Sequence, residues 1–174
     1  MWSSWQDIGQ AKFKERGYFG IYQIRVVDRV RDPLPVGRIV GVDQEGVIYI
    51  GKAGPVQTLA KRIHKFESVS KLGKAKHSGG ETYILLKMKL IFSDHAFKNH
   101  KLQYKVVHLD TDRIEPELSG QENFKLKIER EEINALADYF IKYGELPPCN
   151  SIFPGKWDRF TNRLREYWGI SRQQ

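Results

Sequence analysis

The chain carries one cysteine, Cys149. A lone thiol excludes a disulfide framework and a cysteine-rich zinc site, and such sparse usage suits a reducing cytoplasm. Long apolar runs are also missing. No window approaches the roughly 20 residues that a bilayer-spanning helix needs, so no membrane role is expected. The first 20 residues, MWSSWQDIGQAKFKERGYFG, contain no apolar core of signal-peptide length. There is neither an internal repeat nor a low-complexity tract. Acidic residues are scarce in one place: between Lys52 and Lys101, eleven Lys or Arg face only Glu67, Glu81 and Asp94. That segment holds the whole net charge of +8, and the rest of the chain is balanced. A one-signed segment is the electrostatic footprint of a polyanion partner, with a solvated basic face as the plainer alternative.

With 174 residues, 40% hydrophobic and 29% charged, the chain suits one domain with one core. A strand is predicted over residues 21–27, rich in β-branched and aromatic side chains. A Pro/Gly-punctuated loop follows over 29–43, then a second strand over 46–51. Two consecutive strands joined without a helix should pair antiparallel. Leu59, Ile63 and Phe66 have helical spacing within a helix over 58–66. Residues 68–80 read as a loop. Residues 82–96 fit a helix better than a strand. A further strand is predicted over 104–109. A long helix spans 121–143, with Ile133, Leu136, Phe140 and Ile141 as its apolar stripe and Gly144 ending it. A proline-rich turn and a terminal helix over 156–168 close the chain. The class is α+β, a small antiparallel sheet flanked by helices.

Five short pieces fall on these elements in a fixed order. They are Gly20-Ile21-Tyr22, Tyr49-Ile50-Gly51-Lys52, Leu59-Ala60-Lys61-Arg62-Ile63, a helix bearing Glu131 or Glu132, and Pro148-Cys149-Asn150. Each alone is common. Together, from about Gly20 to Asn150, they resemble the GIY-YIG nuclease superfamily. The resemblance implies a three-stranded antiparallel sheet flanked by helices, and cleavage of DNA phosphodiesters with one divalent metal ion. By motif, Tyr22 and Tyr49 match the signature tyrosines and Arg62 the catalytic arginine. Lys52 matches a lysine that often follows the second glycine, and Asn150 the asparagine beyond the glutamate helix. Glu132 is the expected metal-binding glutamate, because Ala135, Leu136 and Tyr139 then fall on the family's apolar helix positions. Glu131 is the alternative. Many relatives carry a histidine four residues after the arginine, where this chain has Phe66. His64 and His77 are the nearby candidates for a direct role.

The residue types fit that chemistry on their own terms. One carboxylate suits Mg²⁺ or Mn²⁺, a hard cation that keeps most of its water. Arg62 offers a planar fork for phosphate oxygens. A tyrosine can act as a base only if positive neighbours bring its pKa down from near 10, and Lys52, Arg62 and the cation are the available ones. Tyr22 is the expected base, Tyr49 the group that orients water or metal, Lys52 a tuner of a tyrosine, and Asn150 a brace. Lys61, Lys65, Lys71, Lys74 and Lys76 are the candidate contacts to double-stranded DNA.

The two tyrosines lie 27 residues apart, which leaves a long insertion between their strands. Insertions around the core, a basic loop and an aromatic tail are similar to the GIY-YIG restriction endonucleases. A self-contained restriction-type enzyme is expected, with a homodimer matching a palindromic target and no nucleotide cofactor. The alternatives are a structure-specific repair or mobile-element nuclease, and a non-catalytic nucleic-acid-binding module.

Overall fold

A computed structural model describes residues 1–72, 77–93, 99–109 and 120–150. Lys74, Lys76 and the terminal helix expected over 156–168 lie outside the described residues. In chain order the elements are β1 (Gln6–Asp7), α1 (Ala11–Lys14), β2 (Gly20–Val27), β3 (Val36–Gly37), β4 (Val42–Asp43) and β5 (Val47–Ala53). Helices α2 (Leu59–Leu72) and α3 (Ser78–Ser93), strand β6 (Lys101–His108) and helix α4 (Gly120–Tyr143) follow. The class is α+β.

The main sheet has four strands in the order β1-β6-β2-β5, every pairing antiparallel. Three strands were expected, and the fourth is the two-residue β1 laid along β6. So short a strand leaves no alternation to read. The expected loop over 29–43 likewise contains a small ribbon, β3 paired with β4. Strand β2 sits at the centre of the sheet and is buried along most of its length, as its β-branched composition requires.

Two cores form, one on each face. On one face Tyr22, Ile24, Val26, Ile48, Tyr49, Tyr104 and Val106 pack on Leu59, Ile63 and Phe66 of α2 and Tyr83 of α3. On the other, Val47 and Ile50 meet Ile133, Leu136, Ala137, Tyr139 and Tyr143 of α4. A register shift decides this division. Ile24 pairs with Tyr49 and Arg25 with Val47, so Ile48 has no partner in β2. Such a bulge puts two consecutive side chains, Ile48 and Tyr49, into the same core.

Two helix boundaries differ from expectation. Helix α2 continues past Phe66 to Leu72 because Val69, fully buried, extends the same face. Helix α3 begins at Ser78, so the described residues of 68–80, apart from His77, are helical where a loop was read. The α4 stripe also turns. Tyr139 and Tyr143 are buried, whereas Phe140 and Ile141 only flank the core. Both phenols donate to the buried Asp43, at 2.8 and 3.1 Å. An acceptor about a hundred residues away lets tyrosine serve as a core residue.

Candidate active site

The site grows from the pairing of β2 with β5. Tyr22 stands opposite Gly51 in that register. A Cβ on Gly51 would lie 2.6 Å from the Tyr49 ring and 3.0 Å from Tyr22 Oη. Only the missing side chain lets both phenols lie across the backbone there, with ring centroids 5.8 Å apart. Tyr49 is closed in from the other side by Gly79, where a Cβ would stand 2.4 Å from its ring. The tyrosine is therefore held between a strand glycine and a helix glycine.

The first turn of helix α2 brings Arg62, the residue before the buried Ile63, within reach of both phenols. Its guanidinium, Glu132 of α4 and the two phenols all act on one another electrostatically. Burial opposes the charge on Arg62, but Tyr22, Tyr49 and Glu132 together hold its pKa above the ordinary value. Arg62 Nε is buried and has no hydrogen-bond partner among the described residues. A buried donor without a partner is costly unless a ligand satisfies it.

A phenol base needs positive neighbours that lower its pKa. Arg62 pulls both phenols down, but burial outweighs it and raises both. Tyr22, fully enclosed, is pushed well up by desolvation and then by Tyr49, and the opposing pull of Arg62 is smaller. Tyr49 is raised for the same leading reason. The Lys52 ammonium lies 2.8 Å from Glu132 Oε2. Lys52 is thus a partner of the acid, which itself acts on both phenols. Among the described residues its ion pairs are with Glu132 and Glu129, and none is with Glu131. Glu129 was not singled out from sequence, because a glutamate one helical turn before another reads as a solvated face.

His77 enters from a separate element. It precedes α3, and its carbonyl accepts from Glu81 N–H at 2.9 Å. Its Nδ1 accepts from Gly80 N–H at 3.3 Å, capping the helix. The neutral ring then carries its proton on Nε2, which donates to Tyr22 Oη at 3.2 Å. Burial first, and Arg62 second, lower the His77 pKa from 6.5 to about 4. The ring sits edge-on to Tyr49 and Phe66, at 5.4 and 5.3 Å.

The other candidates divide. Asn150 Nδ2 donates to Ile50 O at 2.7 Å, and its Oδ1 accepts from Ile50 N–H at 2.9 Å. Its amide thus continues the sheet beyond the outer edge of β5, beside Gly51. His64 is away from the site on the exposed side of α2, 3.7 Å from Glu67. Lys61 is exposed. Lys65 is close enough to act on His77, and Lys71 is tied to Glu67. Among the described residues no group of three or more His, Cys, Asp or Glu converges. The donor set at the site is one carboxylate, Glu132, with phenol oxygens nearby. It fits a hard divalent cation that keeps most of its water.

No protein-family model, curated protein or solved structure matches the chain.

Proposed function

We propose that the protein is a metal-dependent DNA endonuclease of the GIY-YIG type, acting as a self-contained restriction-type enzyme. One observation carries the reading. Tyr22, Tyr49, Arg62 and Glu132 come from β2, β5, α2 and α4, and each lies within electrostatic reach of the others. Nothing in local packing requires two phenols, a guanidinium with a buried orphan donor and an acid to converge.

The roles follow from the geometry. Arg62 holds the scissile phosphate through its fork, and Nε gains the partner it lacks. Glu132 holds the cation. A bound Mg²⁺ or Mn²⁺ supplies charge neutralisation and a more acidic water. The base is assigned to the Tyr22–Tyr49 pair, whose hydroxyls are coupled. Burial raises both phenols, so a bound cation beside them would have to supply the positive charge that brings one down. His77 Nε2–H donates to Tyr22 Oη, so its hydrogen bond strengthens as phenolate character develops. His77 fills the need that a histidine at the Phe66 position meets in relatives of that family. The basic segment supplies non-specific attraction to duplex DNA. The β3–β4 ribbon, with Ile39, Val40 and Val42 exposed, is an inserted surface available for DNA contact.

Purified protein incubated with plasmid DNA and Mg²⁺ or Mn²⁺, followed by end sequencing, tests the reading. Discrete ends at a recurring sequence are expected, abolished by Glu132→Gln with DNA binding retained. Ends confined to branched or nicked substrates would move the protein to the repair class. An absence of cleavage with either metal over a sequence-diverse substrate would overturn the enzymatic reading.

A further inference from the structure

Lys52 and two acids of α4 form a small cluster at the rim of the site. Lys52 Nζ lies 2.8 Å from Glu132 Oε2 and 3.9 Å from Glu129 Oε1. Glu129 and Glu132 are one helical turn apart, so both side chains rise from the same face of α4. The acids are largely covered, at 16% and 15% exposure, whereas Lys52 is 39% exposed. The ammonium therefore competes with a metal cation for the Glu132 carboxylate, holding its Oε2. A carboxylate that releases one cation to accept another costs least when the first has a second seat. Glu129 is that seat, already within ion-pair distance.

We infer that Glu129 is a positioning residue for the metal carboxylate: cation binding at Glu132 transfers the Lys52 ammonium to Glu129. The inference rests on the proposed role of Glu132 as metal ligand. Charge is conserved in the exchange, since Lys52 stays paired and Glu132 trades an ammonium for the metal. Two consequences follow. Lys52 opposes metal binding by holding Glu132. Glu129 favours it only while Lys52 is present.

Manganese binding to the full chain, measured by titration calorimetry at low salt without DNA, reads this out independently of cleavage. Lys52→Met should tighten Mn²⁺ binding and Glu129→Gln should weaken it, each by about fivefold or more. The double variant should bind like Lys52→Met alone, the non-additive signature of two residues acting through one contact. Equal weakening by Glu129→Gln in both backgrounds would make Glu129 a ligand or a plain source of field, and would overturn the proposal. So would no effect in either. Should Glu129→Gln fail to fold by circular dichroism, Lys52→Met decides alone, and unchanged or weaker Mn²⁺ binding overturns the exchange. Mn²⁺ binding that survives Glu132→Gln would overturn the metal assignment itself, a separate result.

Discussion

Acidification from pH 7 to pH 4 should weaken the fold through His77. In the unfolded chain this imidazole titrates near its ordinary 6.5, and in the folded protein burial and Arg62 hold it at about 4. Between those values the unfolded state takes up a proton that the folded state refuses. The stability due to the neutral ring is fully present above pH 6.5 and is lost as pH falls through 4. At about 1.4 kcal/mol per pH unit the gap is worth about 3 kcal/mol. In a chain of this size that corresponds to a fall of about 6–12 °C in melting temperature. Thermal melts of the wild type and His77→Gln across this range give the measurement. Glutamine keeps an N–H for Tyr22 and cannot be protonated. Carboxylates titrate in both proteins, so the difference between the two curves isolates His77. The wild type should lose about 3 kcal/mol more than the variant on going from pH 7 to pH 4. Parallel curves would refute the neutral, capping imidazole and with it the Nε2–H donated to Tyr22.

Gly51→Ala should displace both phenols, since the new methyl would stand 2.6 Å from the Tyr49 ring. About 1–3 kcal/mol of stability should be lost, with loss of cleavage, and an unchanged melt would show that the strand can yield. Arg62→Ala should lower the cleavage rate by about 10² to 10³, or about 3 kcal/mol of barrier, while the protein stays folded. Wild-type single-turnover rates would remove its phosphate role. DNA binding should weaken by roughly 10³ or more between 50 and 200 mM salt if six or more phosphates are contacted. A flat response in a binding titration would take the basic segment out of the interface. Asn150→Asp should cost about 1–3 kcal/mol by turning a donor into an acceptor against Ile50 O, and a denaturant melt equal to wild type would deny the bracing role.

The strands of the centre were legible because β2 and β5 are rich in β-branched and aromatic residues, and their antiparallel pairing follows from the missing helix between them. The features that escaped are those set by distant partners. Gly79 and Gly80 read as loop residues by propensity, yet both are helical. A Cβ would meet Tyr49 at the first and Val69 at 3.0 Å at the second, so close packing decides against the local preference. Tyr139 and Tyr143 turn inward only because Asp43 waits there. The rise of the tyrosine pKa values could not be read from sequence because burial is a property of the assembled core, and it outweighs a single guanidinium.

His77 shows how the site tolerates Phe66 where a histidine was sought. A histidine carried on the face of α2 would have its tautomer set by whatever side chain lay behind it. Here the imidazole arrives as the cap of α3, and a backbone N–H, that of Gly80, takes Nδ1. The proton is thereby directed to Nε2 by main-chain geometry, and Nε2 points at Tyr22. Phe66, fully buried, becomes the wall against which that ring rests edge-on. Phe66→His would put a second polar ring into the same space beside an imidazole already held neutral. It should lower stability rather than restore a missing group, by about 1–3 kcal/mol for an unsatisfied buried nitrogen. A variant as stable as wild type in denaturant melts would mean that the pocket can use a histidine from either element.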